Sequence, residues 1–228
     1  MKTLKGMRFN MEFIWRCLFY YFRFSLSLRE VALMMEERGF AVSHVSIYNW
    51  VLRFGPCLEE KFRKHKLPVN TSWRIDETYI KINGEWKYLY RAVDKNGDTV
   101  DFLLTAKRDL KAAKRFLKKA IKNHGSPLKA AIDKSGANLA SIEAINSEQI
   151  HPIEIRQNKY LNNIVEQDHR GIKKRVRPML GFKNFHSAKI IITGVEILRM
   201  IFKNQTNYLP LFNLTPIETF WAIAEAVL

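Results

Sequence analysis

The sequence predicts an α/β chain: an N-terminal all-α module followed by a mixed sheet flanked by helices. Three observations carry this expectation. Residues 12 to 54 hold apolar side chains at helical spacing with cap signals between them. From Ser72 the period changes to that of strands, broken by Asn83-Gly84 and by Lys95-Asn96-Gly97-Asp98. Beyond Thr105, helical segments alternate with short apolar runs.

The elements follow in order. Glu12 to Phe24 is apolar and aromatic, with Arg16 and Arg23 interleaved. Ser27-Leu-Arg-Glu30 is a capping-box pattern, and the helix it opens stops near Gly39. Ser43 caps a third helix through Ile47, Trp50 and Val51 to about Phe54. Three helices with a Gly-containing turn spell a helix-turn-helix, which would present His44, Ser46, Asn49 and Arg53 to DNA. A plain three-helix bundle is the competing reading. Pro56 and the charged run Glu59 to Lys66 read as a linker.

Trp73 to Ile82, Trp86 to Val93 and Thr99 to Thr105 read as three strands joined by hairpins. Asp109 caps a Lys- and Ala-rich helix to about Asn123. Lys129 to Asp133 is a short buried strand, Asn138 to Ile145 a helix, and Ile153 to Ile155 a fifth strand. Asn163 to Arg177 is helical and stops at Pro178, and Ala188 to Lys203 is a further helix. This succession is the ribonuclease-H-like order, a mixed sheet of three antiparallel strands extended by parallel ones. Thr215-Pro-Ile-Glu218 opens a last apolar helix, a docking or dimer element. The expected division is 1–56 helix-turn-helix, 57–71 linker, 72–205 catalytic domain and 206–228 helical tail.

Composition narrows the function. In 228 residues, 38 Lys and Arg face 22 acids, a formal charge of +16 that calls for a polyanionic partner. An anionic membrane is the weaker candidate, because the most apolar stretch, Phe13 to Phe22, is short and contains Arg16. No signal peptide is indicated. Cys17 and Cys57 fit neither a disulfide framework nor a zinc site and read as buried thiols of a reduced, cytoplasmic protein.

Three acids in three segments carry the chemistry: Asp76 in WRIDETYI, Asp133 in AAIDKSG and Glu166 in NNIVEQDHRGIKKR. Fifty-six residues separate the first two and 32 the last two. Asp76 sits within a strand, Asp133 at the mouth of the sheet, and Glu166 one turn into a basic helix. Converging, they suit a nuclease-type site in which oxygen ligands hold two magnesium ions for in-line displacement at a phosphodiester. Lys173, seven residues after Glu166, shares its helical face and would hold a phosphate. Arg170, Lys174, Arg175 and Arg177 extend a basic stripe for DNA. On spacing alone, any single acid here reads more readily as an ordinary surface or capping carboxylate than as a metal ligand. Strand alternation sends Glu77 to the face opposite Asp76, and helix rotation turns Asp168 away from Glu166, so neither is chosen.

The segments WRIDETYIKINGEWKYLYRAVDKNGDTVDFLLTAKRD, IDKSGAN and RQNKYLNNIVEQDHRGIKKRVRPMLGFKNFHSA resemble bacterial insertion-sequence transposases of the DDE type, and the insertion-sequence-six family in particular. The resemblance spans roughly residues 20 to 205. It implies a helix-turn-helix that recognises terminal inverted repeats, a ribonuclease-H-like core, and replicative transposition through cointegrates. It assigns the metal ligands to Asp76, Asp133 and Glu166, and the basic partner to Lys173. The cofactor would be Mg2+, with Mn2+ able to substitute. The partner would be double-stranded DNA, both element ends and target, bound by a homodimer or higher oligomer in the bacterial nucleoid. The Asp133–Glu166 interval is slightly shorter than the family's usual one, with the loss expected between Asn146 and Arg156. Two other readings keep the basic surface: an inactive DNA-binding regulator or decayed copy, and a nuclease or resolvase without joining activity.

Overall fold

The computed structural model describes residues 8–133, 136–157, 163–208 and 212–227. By packing, the chain forms two compact units, Pro68–Lys173 and the combination of Met1–Leu67 with Lys174–Leu228.

The Pro68–Lys173 unit is built on a five-stranded sheet. Strands β1 (Ser72–Ile82), β2 (Glu85–Asp94) and β3 (Thr99–Thr105) run antiparallel in succession. Asn83 and Gly84, both at positive φ, form the first two-residue hairpin. On the other edge of β1 lies β4 (Lys129–Ile132), parallel, with Ile75 opposite Ile132, and β5 (Glu154–Arg156) adds in parallel beyond it. The order β3-β2-β1-β4-β5 is the ribonuclease-H-like sheet expected from the sequence.

Helices α4 (Leu110–His124) and α5 (Gly136–Asn146) cover one face. Asp109 caps α4 by accepting from the Ala112 amide at 2.8 Å. Ala113, Phe116 and Leu117 of α4 and Ile142 and Ile145 of α5 bury Trp73, Ile75 and Tyr90. Helix α6 (Asn163–Val176) carries buried Val165 and Ile172 one helical face apart from its charges. It breaks into a 3-10 turn at Arg177–Met179, where Pro178 ends the regular hydrogen bonding.

The other unit is helical: α1 (Met11–Arg23), α2 (Leu28–Glu36), α3 (His44–His65), α7 (Phe185–Phe202) and α8 (Pro216–Glu225). Asn10, Ser27, Ser43 and Thr215 cap α1, α2, α3 and α8 through their side chains, and both expected capping boxes form. Helix α3 departs from expectation. The expected linker beginning at residue 57 is helical through His65, with Pro56 inside the helix. The apolar stripe Ile47, Val51, Phe54, Leu58 and Phe62 continues past the proline and is buried throughout. The charged run is the solvent face of the same helix, tied by Arg63–Glu59 at 2.6 Å and Lys64–Glu60 at 2.9 Å.

The expected catalytic segment 72–205 is likewise divided by packing. Helix α7 is apolar on nearly every side and is surrounded by α1, α3 and α8. The tail helix is part of this core: Phe220 is fully buried, 6.2 Å from Trp15 and 5.1 Å from Phe19 between ring centroids. Two glycines let α7 pack so closely. A Cβ on Gly55 would come 2.6 Å from Ile190, and one on Gly194 would collide with the Phe22 ring. Gly194→Ala is expected to cost about 1–3 kcal/mol through overpacking, read as a lower urea midpoint. An unchanged midpoint would contradict that packing. Among the described residues, no helix is long and apolar enough to cross a membrane.

Candidate active site

The parallel register of β1 and β4 builds the site. Because Ile75 lies opposite Ile132, the next residues, Asp76 and Asp133, fall side by side where β4 ends. Oxygen atoms of Asp76, Asp133 and Glu77 all lie within 4.8 Å of one another. The Asp76 side chain is 17% exposed and that of Asp133 41%. Burial pushes the Asp76 carboxyl up to about 7. A hydrogen bond from the Glu77 backbone opposes this, and the charges of Glu77, Asp133 and Glu166 reinforce it.

Glu77 is a correction to the sequence reading. Alternation does place it on the α4/α5 face, yet its carboxylate joins the cluster. Asp133 lies past the end of its strand, free of the pleat, and is reached by neighbouring side chains on both faces of β1. Glu77 is buried. It accepts from Asn138 Nδ2 at 3.0 Å and pairs with Arg108, whose guanidinium lies 4.0 Å from Asp133. Burial also raises the Glu77 carboxyl, against the pull of Arg108 and Asn138.

Glu166 is exposed in the first turn of α6 and acts on Asp76 through its charge, but stands outside the 4.8 Å cluster. Lys173 is half-buried two turns further on. The two intervening residues set aside or unassigned by sequence fix this helix. Asp168 pairs with Arg91 of β2, which is fully buried, and His169 Nδ1 lies 3.5 Å from Asp76 Oδ2. Arg91 is itself the cross-strand partner of Asp76. Thus α6 is held against the strand residues that carry the site, and Asp168 has a structural task.

Of the expected basic stripe, Arg170, Lys174 and Arg177 are exposed. Arg175 is a second correction. It is buried and donates to the backbone carbonyls of Tyr21 and Phe22, so it is spent on tying residues 21–22 of its own unit. Its aliphatic neighbour Val176 is also buried, which marks the inward side of the helix end. In the helical unit, Ser46, Asn49 and Arg53 line a cavity of about 540 Å³ with Arg8, Phe9 and Trp50. His44 is exposed at the start of α3, outside that lining.

The residues missed by sequence reasoning carry a signal. Glu77, Arg108, Asn138, Asp168 and His169 all lie inside the motif blocks quoted above, between or beside the chosen acids. The donor set itself fits a hard divalent cation: carboxylate oxygens only, with Asp76 pushed up to about 7 by burial first and by the neighbouring acids second.

The raised Asp76 carboxyl makes a pH prediction for metal-free protein. Its stabilising effect on the folded state is full below the unfolded value of 3.8. It is lost as pH climbs to about 7, because the unfolded chain ionises first. Asp76→Asn in EDTA is therefore expected to gain stability relative to the native chain between about pH 4 and about pH 7, then level off. A difference independent of pH would contradict the strained carboxyl.

Residues 70–205 match the family DDE_Tnp_IS240, described as a DDE domain. The chain is 36% identical over 217 residues to the transposase for insertion sequence-like element IS431mec of Staphylococcus aureus (strain Mu50 / ATCC 700699), covering 95% of this chain and 96% of that protein. It is 35% identical over the same length to the transposase for insertion sequence element IS257 in transposon Tn4003 of Staphylococcus aureus, with the same coverage. Among solved structures, it is similar to the HTLV-2 integrase catalytic core domain in complex with magnesium (trimeric form). That likeness has a TM-score of 0.46 and 20% identity and covers 69% of this chain and 97% of that one. Sheet order, carboxylate cluster and family define a polynucleotidyl transferase of the ribonuclease-H-like class. The chain belongs to the insertion-sequence-six family of bacterial DDE transposases.

Proposed function

We propose that the protein binds the terminal inverted repeats of its own element, cleaves at their 3′ ends and joins those ends to target DNA in one site, by the replicative route. The observation that carries the reading is the meeting of Asp76 and Asp133 oxygens within 4.8 Å at the end of the sheet, with the Glu166 charge bearing on Asp76. Asp76, Asp133 and Glu166 would hold Mg2+, with Mn2+ able to substitute. When bound, such a metal pair supplies Lewis-acid activation of an attacking water or 3′-hydroxyl and neutralises the leaving oxygen. Lys173 binds a phosphate beside the scissile bond, and Arg170, Lys174 and Arg177 hold the flanking backbone through counterion release. The half-buried position of Asp76 excludes water from one side of the carboxylates and strengthens their electrostatics.

End recognition falls to α3, where Ser46, Asn49 and Arg53 face a shared cavity and His44 flanks them. Since two ends must be brought to one target, the working form is a homodimer or larger assembly on DNA. The place of action is the bacterial cytoplasm, on the nucleoid. The test is competition binding with a terminal-repeat duplex against a scrambled one. Asn49→Ala or Arg53→Ala is expected to lower the preference by about 1–3 kcal/mol per lost base contact, about 5- to 150-fold. Equal binding to both duplexes by the native chain would remove the repeat-recognition reading. Two-plasmid transposition should yield cointegrates, and simple insertions alone would contradict the replicative route.

A further inference from the structure

Arg108 belongs to none of the roles assigned above, yet it stands at the carboxylate cluster. It precedes the N-cap of α4, pairs with Glu77 and lies 4.0 Å from Asp133 Oδ2. Its side chain is 35% exposed. Glu77 is fixed from beneath. Its side chain is 3% exposed, one oxygen is taken by Arg108, and the other accepts from Asn138 Nδ2 at 3.0 Å. Asn138 is itself buried in the first turn of α5.

A carboxylate with both oxygens engaged and almost no exposure is a poor third ligand for a cation entering from solvent. The Asp133 side chain is far more open to solvent, at 41% exposed. A guanidinium offers five donors in a planar fork that matches a phosphate's geometry, and the Arg108 side chain stays 35% exposed while it pairs with Glu77. We infer that Arg108 is a phosphate-binding residue of the active site, and that Glu77, anchored by Asn138, is a positioning residue that aims it rather than a metal ligand. The inference rests on the strand-transfer reading given above and adds to it a substrate contact outside the three acids and Lys173.

The test uses the full chain with a pre-cut terminal duplex and two readouts besides joining. The first is the salt dependence of duplex binding in EDTA. Arg108→Ala is expected to lower the slope of log K against log salt by about 0.9, one phosphate's worth, while Arg108→Lys keeps the slope. At saturating DNA, Arg108→Lys should still join more slowly than the native chain, because a single ammonium does not reproduce the fork. The second readout is Mn2+ binding followed by electron paramagnetic resonance. Glu77→Gln is expected to bind Mn2+ like the native chain, whereas Asp76→Asn loses it. An unchanged salt slope for Arg108→Ala would overturn the phosphate contact. Loss of Mn2+ binding in Glu77→Gln to the level of Asp76→Asn would make Glu77 a ligand and overturn its positioning role. If Glu77→Gln does not fold, the slope of the surface variant Arg108→Ala decides alone. Retention of both Mn2+ binding and joining by Asp76→Asn would instead remove the underlying strand-transfer reading, a result distinct from either of these.

Discussion

Asp76→Asn is expected to lower strand transfer about a thousandfold or more, since a divalent metal supplies several kcal/mol of transition-state stabilisation. The amide keeps the shape of the side chain but removes the charge that would attract a cation between β1 and β4. Folding should not suffer. Asp76 is already pushed up to about 7 by burial and by three acidic neighbours, so a neutral side chain relieves strain in the metal-free protein. Binding of terminal-repeat duplex, the task proposed for α3, should stay within about twofold, an amount no larger than an exposed-surface change produces. Strand transfer at the native rate by this variant would sink the assignment of the site.

The largest stability effect is expected at Arg91. This side chain is fully buried on β2 and pairs with Asp168 of α6, whose side chain is 8% exposed. Removing one partner of a buried ion pair leaves the other uncompensated, so Arg91→Ala is expected to cost about 3–5 kcal/mol in urea or thermal unfolding. Replacing both, as in Arg91→Met with Asp168→Leu, should recover most of the loss, because well-packed apolar side chains of similar volume replace buried pairs at little cost. Recovered stability need not bring recovered joining, since Asp168 and His169 together set where α6 carries Glu166 and Lys173. A single-variant loss under about 1 kcal/mol would mean the pair is far better hydrated than its burial indicates.

Much of this architecture was legible in the sequence. The Asn83-Gly84 turn, the capping residues Ser27, Ser43, Asp109 and Thr215, and the strand-then-helix order are local signals, and each has a local cause in the structure. The meeting of Asp76 and Asp133 was expected from their places in or beside strands, and the parallel register supplies it. What escaped was set by packing. Pro56 looked like a helix end, but the stripe from Ile47 to Phe62 buries enough apolar surface to carry α3 through it. Pleat alternation places Glu77 on the face opposite Asp76 but says nothing about Asp133, which lies beyond the end of β4. Arg175 read as one more cation in a basic run, and only the tertiary fold shows its guanidinium turned onto the Tyr21 and Phe22 carbonyls. Residues 158–162, within the motif that carries Glu166, lie outside the described residues.

The most direct measurement is a strand-transfer assay with purified full chain, pre-cut ends of the parent element and a plasmid target, in magnesium and in EDTA. Joined product is expected with magnesium and none with EDTA. Joined product in EDTA would contradict a metal site at Asp76, Asp133 and Glu166. Specific end binding without joining in either condition would contradict an active transposase and favour a DNA-binding regulator or decayed copy.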